Sequence, residues 1–150
     1  MKDFGGADIK IGDTVAIVYH PRAYKFVIKA AAVEKNVGTK RMLVTRVLNS
    51  DEVAKYMPDK TGESYPKLVK ISSDFPPVTE DTPVDAVGHA IHLGDKIACM
   101  KPIEGGGNTL KGFEKGGTVV KLSDYYVFYA DIETGETKRK GYNGVVVCFE

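Results

Sequence analysis

Ile9-Lys-Ile-Gly-Asp-Thr-Val-Ala-Ile-Val18 returns eighty-two positions later as Ile91-His-Leu-Gly-Asp-Lys-Ile-Ala-Cys-Met100. Ile9/Ile91, Gly12/Gly94, Asp13/Asp95 and Ala16/Ala98 are identical, and Ile11/Leu93, Val15/Ile97, Ile17/Cys99 and Val18/Met100 stay apolar. A Gly-Asp pair ahead of an apolar run is the chemistry of a tight turn feeding a strand: Gly supplies positive φ and Asp bonds the local backbone. Two copies, rather than a long array, predict two similar small β units in tandem.

The rest of the chain divides around these copies. Residues 73–86 hold Pro76, Pro77 and Pro83 with four acids, the composition of a semi-rigid, extended linker. The expected organisation is a unit over 1–72, a linker over 73–86 and a unit over 87–150. In the first unit, strands are expected at Thr14–Tyr19, closed by Pro21, at Phe26–Lys35, at Lys40–Leu48 and at Pro66–Ile71. Ser50–Met57 reads as a short helix or 3₁₀ turn, with Ser50 as N-cap, acids in the first turn and Pro58 as stop. In the second unit the expected strands are Lys96–Met100, Gly117–Leu122, Tyr125–Ile132, Thr137–Lys140 and Gly144–Phe149, with a hairpin turn at Glu133-Thr-Gly-Glu136. A fainter echo pairs Lys25, Lys29, Val33 and Lys35 with Lys111, Lys115, Val119 and Lys121 at an offset of eighty-six.

About five short strands per unit favour a small barrel, which removes exposed sheet edges. On Ile11-Gly-Asp-Thr-Val-Ala-Ile17 with Ala31-Ala-Val33, and Leu93-Gly-Asp-Lys-Ile-Ala-Cys99 with Gly117-Thr-Val119, the chain resembles the SH3-like barrels of the Tudor/KOW type. The first copy departs from that pattern by lacking the glycine before its valine. More loosely, it resembles small phage-encoded transcription modifiers of the MotB kind. These resemblances imply a mainly β fold of two tandem SH3-like barrels, and DNA binding in a host cytoplasm.

Composition narrows the function classes. With 43% hydrophobic and 27% charged residues this is an ordinary globular chain, and no apolar stretch reaches the ~18 residues of a membrane span. The N-terminus has no apolar signal region, and two cysteines, Cys99 and Cys148, suggest buried thiols in a reducing compartment, the cytoplasm. Residues 1–70 carry 13 Lys+Arg against 8 Asp+Glu, net +5, whereas residues 71–150 carry 8 against 12, net −4. A basic half attracts polyanions.

Candidate nucleic-acid contacts follow from that asymmetry. Arg22, Lys25, Lys29, Lys35, Lys40, Arg41 and Arg46 are interleaved with Tyr19, His20 and Tyr24. Cations neutralise phosphates, and aromatic faces stack on unpaired bases. Lys25, Lys29 and Lys35 share strand parity with Val27, Ala31 and Val33, so a basic face requires a bulge or bend. Lys138-Arg139-Lys140, near Tyr125, Tyr126 and Tyr142, forms a second basic element that serves equally as charge protecting an edge strand. The glycine-rich stretch Glu104–Gly117 lacks a phosphate-loop spacing and reads as an inter-strand loop. His89 and His92 lack a third ligand at metal spacing, and no nucleophile–base arrangement is visible. The expected function is a non-enzymatic, cofactor-free accessory protein that binds a nucleic-acid backbone, DNA foremost, with little sequence preference. The rival is a protein-interaction module or inhibitor docking on a host enzyme, favoured by the Tyr125–Tyr129 aromatic run; methyl-lysine capture ranks behind both.

Overall fold

The computed structural model describes residues 1–22, 25–101 and 112–148, with side chains described outside 20–26. Strands β2 (Thr14–Arg22), β3 (Lys25–Val37), β4 (Met42–Val47), β5 (Val53–Tyr56) and β7 (Leu68–Lys70) form one sheet in the order β5-β4-β3-β2-β7. Strands β8 (Lys96–Met100), β9 (Phe113–Leu122), β10 (Tyr126–Asp131), β11 (Thr137–Gly141) and β12 (Val145–Val147) form another in the order β11-β10-β9-β8-β12. Both are four-strand antiparallel meanders whose last strand returns beside the first. That is the order of an SH3-like unit, and the chain holds two in tandem. A short parallel pair, β1 (Lys2–Asp3) with β6 (Ser64–Tyr65), flanks the first. Among the described residues no ladder joins β5 to β7 or β11 to β12, so both sheets are open as paired.

The duplication reaches further than the sequence phrase. Asp13 Oδ2 accepts from Lys10 N at 2.8 Å, and Asp95 Oδ2 from His92 N at 2.8 Å. Gly12 (φ 96°) and Gly94 (φ 91°) hold the left-handed turn positions that no other residue adopts cheaply. Upstream, the buried Asp3 carboxylate accepts N–H bonds from Gly5, Ala7 and Lys70 at 2.9 Å each. The buried Asp85 carboxylate does the same for Val87, His89 and Val147, at 2.9–3.0 Å. Each aspartate thus ties its own turn to the last strand of its unit. Asp85 and Ala86 accordingly pack with the second sheet. Burial raises the Asp85 pKa, opposed by the three N–H donors.

Each sheet curls round its own core. Val15, Ile17, Ala31, Val33, Leu43, Val47, Tyr56 and Leu68 fill the first; Ile97, Cys99, Val119, Val127, Tyr129 and Val145 fill the second. A third core lies between them: Ala16, Val18, Ile28, Val69 and Ile71 from the first unit meet Ala98, Phe113 and Val146 from the second, with Phe4, Ala86, Met100 and Cys148 at its edge. Registers make Ala16/Ala98, Val18/Met100, Ile28/Phe113, Val69/Val146, Ile71/Cys148 and Phe4/Ala86 equivalent pairs. The two units therefore bury the same face against each other, the self-complementary arrangement of a two-fold dimer, here within one chain. A backbone bond from Phe113 N to Pro66 O, 2.9 Å, stitches the seam.

Several local expectations are corrected. Val53–Tyr56 is a strand, not a helix, because alternation carries Tyr56 into the core and leaves Lys55 outside; Ser50 Oγ accepts from Glu52 N at 3.0 Å in a local turn instead of capping a helix. β2 continues past Pro21 to Arg22, through a register shift after Tyr19 and beyond the reach of β7, where a missing N–H breaks no ladder. The Lys29/Lys115 echo is out of register: Lys115 pairs with Ala98 and is the equivalent of Ala30. A bulge at Gly116 causes the offset, at a site where a Cβ would come 2.8 Å from Cys99 Sγ. The Val33/Val119 and Lys35/Lys121 equivalences do match in register.

Candidate nucleic-acid interface

Both units carry the same bulge one strand beyond the duplicated turn. Val33 pairs with Thr45 and Lys35 with Val44, while Val119 pairs with Tyr129 and Lys121 with Phe128. The extra residue hands Lys35 and Lys121 to the face opposite Val33 and Val119, which stay in their cores. Cross-strand pairing then completes a row in each unit. Lys35 stands beside Val44, and Val44 beside Lys55; Lys121 stands beside Phe128, and Phe128 beside Arg139. A cation, an apolar residue and a second cation thus span β3-β4-β5 in one unit and β9-β10-β11 in the other.

The two rows differ in their surroundings. In the first, Val37, Met42, Val44 and Val53 floor a shallow groove of about 290 Å³, with Lys35, Lys55 and the Arg46–Glu34 ion pair at its margin. In the second, Lys121 Nζ lies 5.3 Å from the Phe128 ring centre and Arg139 Cζ lies 4.5 Å over Tyr126, with the two rings 6.5 Å apart edge to face. Cations held over aromatic faces are positioned without being neutralised.

The residues expected from the sequence are distributed as follows. Lys35 and Arg139 sit in the rows. Lys29 keeps the parity of Ala31 and lies on the opposite face of β3 from Lys35, so the expected single basic face does not form between them. Lys40 and Arg41 are exposed at the β3–β4 turn, with Arg41 Nη1 3.4 Å from Gly62 O. Arg46 is engaged by Glu34, whose hydrogen bond and charge raise its pKa further, and it also donates to Asp51 O. Lys140 donates to Met100 O at 3.0 Å. Tyr19 is half-buried against the first core, its pKa raised by a hydrogen bond to Glu52. The side chains of His20, Arg22, Tyr24 and Lys25 lie outside the described residues, as does the glycine-rich loop from 102 to 111. Lys55 and Lys121 complete the rows although the sequence reading did not single them out as candidates. Reading 50–57 as a helix hid Lys55, and Lys121 stood in the sequence only as an echo of Lys35.

Lys138 is neutralised by Asp131, Nζ to Oδ2 3.1 Å. The N–H groups of Thr134 and Glu133, then Lys138, hold the Asp131 pKa down to about 2. Because its folded value is depressed, the contribution of Asp131 is complete above the ordinary carboxylate pKa of about 3.9 and is lost as pH falls through about 2. Carboxyl-detected NMR titration is expected to find Asp131 protonating well below the exposed carboxylates; a normal midpoint would contradict this hairpin geometry.

Other reactive groups are engaged elsewhere. His89 stacks on Phe75 with ring centres 4.1 Å apart and meets Asp74 O at 3.1 Å, while His92 lies 3.6 Å from Asp95. Cys99 and Cys148 are not joined in a disulfide, and burial pushes the Cys99 pKa up, the reverse of an activated nucleophile. Among the described residues, no helix is long and apolar enough to cross a membrane.

No protein-family model matches the chain, and no curated protein matches it. Two solved structures are similar at 20% identity over 91% of this chain. One is the tandem Agenet domain 3-4 of ADCP1 (77% of that chain, TM-score 0.32). The other is AGD34 of AGDP1 from Arabidopsis thaliana (80% of that chain, TM-score 0.33).

Proposed function

We propose that this protein is a non-enzymatic accessory factor that binds a nucleic-acid backbone, DNA foremost, through its two equivalent cation rows. The observation that carries this reading is the recurrence of the row: the bulge that turns Lys35 outward recurs at Lys121, and each lysine is matched across an apolar residue by a second cation. Phosphates are bound by such cations without reading sequence. A role in modulating transcription, as the motif resemblance implies, would follow from that binding.

The test is fluorescence anisotropy of a labelled duplex at about 50 and about 200 mM salt. Affinity is expected to fall steeply with salt. Lys35→Glu and Lys121→Glu are each expected to weaken binding uniformly across sequences and to reduce the salt slope by about one. Absence of binding at the lower salt would discard the proposal.

A protein partner is favoured by one separate feature, the apolar surface of the second unit, where Tyr125 is 80% and Val120 47% exposed. Retention of a partner after nuclease treatment would select that reading.

A further inference from the structure

Beyond its bulge the second sheet turns one face outward, and register names what stands on it. Lys121 on β9, Tyr126, Phe128 and Ala130 on β10, and Thr137 and Arg139 on β11 share that face. The acids nearest in sequence lie off it: Asp124 sits in the turn before β10, and Asp131 is held by Lys138. Tyr126 is 38% exposed, and Tyr125, in the turn that leads into β10, is 80% exposed. Tyr125, Tyr126 and Phe128 belong to none of the three cores. Three aromatic rings thus stand at the surface between two cations, where they contribute little to holding the chain folded.

The internal duplication supplies a control. Lys121 corresponds to Lys35, Arg139 to Lys55, Phe128 to Val44 and Tyr126 to Met42. The cations are kept and the apolar residues change from aliphatic to aromatic, so the fold does not require rings at these positions. Phosphate contacts alone do not require them either. What rings add is flat faces, and the bases of a duplex hide theirs inside the stack, whereas those of an unpaired strand are open. Strands 4.7–4.9 Å apart set the backbones of Lys121 and Arg139 about 10 Å from each other, with the rings of β10 between them. The Arg139 guanidinium, 4.5 Å over Tyr126, presents one more plane on which a base can lie. Charge on both sides of the rings matches a polyanion that also carries flat apolar groups.

We infer that the outer face of β9-β10-β11 binds unpaired nucleotides, their bases stacked on Tyr125 and Tyr126 and their phosphates held by Lys121 and Arg139, in addition to the backbone contact this row shares with the first. The inference rests on the reading of the rows as nucleic-acid contacts, and the test separates the two. Anisotropy of the intact protein is measured with labelled thymidine and uridine oligomers, an abasic deoxyribose-phosphate strand of the same length, and a duplex. The strands that carry bases are expected to bind at least about tenfold more tightly than the abasic strand, the effect of stacking a single base. A preference between the two oligomers would identify DNA or RNA as the strand. Tyr125→Ala is expected to weaken the base-bearing strands about tenfold and to leave the abasic strand and the duplex as they were. Tyr126→Met, which installs the residue of the first unit, is expected to weaken the base-bearing strands by a similar factor, with an unchanged thermal midpoint excluding unfolding as the cause. Equal affinity for abasic and base-bearing strands, or indifference of the latter to both substitutions, would overturn the inference while duplex binding left the rows standing. Absence of binding to every probe would overturn both. A protein partner that survives nuclease and is lost with Tyr125→Ala would assign the face to that protein instead.

Discussion

Asp85→Ala is expected to lower the unfolding free energy by about 3 kcal/mol or more, since a buried donor left unsatisfied costs roughly 1–3 kcal/mol. The carboxylate is buried and accepts from Val87, His89 and Val147, the last of these sixty-two residues away. Alanine would relieve the desolvation that raises the pKa of this acid, but it would leave three N–H groups without their acceptor. Three donors outweigh one relieved charge, so the net effect is destabilising. Asp85→Asn should recover only part of the loss, because its amide NH₂ would face a donor. Asp3→Ala is expected to act with the same sign, through Gly5, Ala7 and Lys70. Urea unfolding measures all three, and a change under about 1 kcal/mol for Asp85→Ala would show that the turn does not depend on its carboxylate.

The second large effect concerns the seam. Phe113→Ala is expected to destabilise the chain by about 3–5 kcal/mol, the usual range for emptying a buried aromatic site. Phe113 is 5% exposed, and it closes the shared core at the position equivalent to Ile28. Separating the halves between residues 75 and 83 would uncover Ala16, Val18, Val69 and Ile71 on one side and Ala98, Phe113 and Val146 on the other. Neither half is expected to unfold cooperatively alone. Mixing them should restore a transition whose midpoint rises with concentration, as for any interface formed by mass action. Two independently stable halves would refute the single shared core. Binding assays are accordingly best made on the intact chain.

This seam shows where local reading stops. Period-2 alternation assigns one face of each strand to a core, and Val15, Ile17, Leu43 and Val47 obey it. Ala16 and Val18 alternate with them and are equally apolar, so the strand reads as buried on both faces without naming what covers the second. The Ala30–Ala32 run is explained by the same seam: Ala31 faces the first core and Ala30 the shared one. Small residues let the two layers approach.

The candidate interface was partly legible for a related reason. Lys35 and Arg139 stand out as cations beside apolar runs, but their partners Lys55 and Lys121 depend on cross-strand register. Each bulge reverses the outward face, and a bulge is set by how two strands meet rather than by either strand alone. The same shift separates Lys29 from Lys35, which simple alternation places together.

By itself the sequence determined the turns and the duplication. Gly12-Asp13 and Gly94-Asp95 close through bonds spanning three residues, so local chemistry suffices to build them. Only the tertiary structure decided that the two copies bury the same face, and which cations share a row. Those outcomes depend on contacts between residues tens of positions apart, whose energies no local pattern contains.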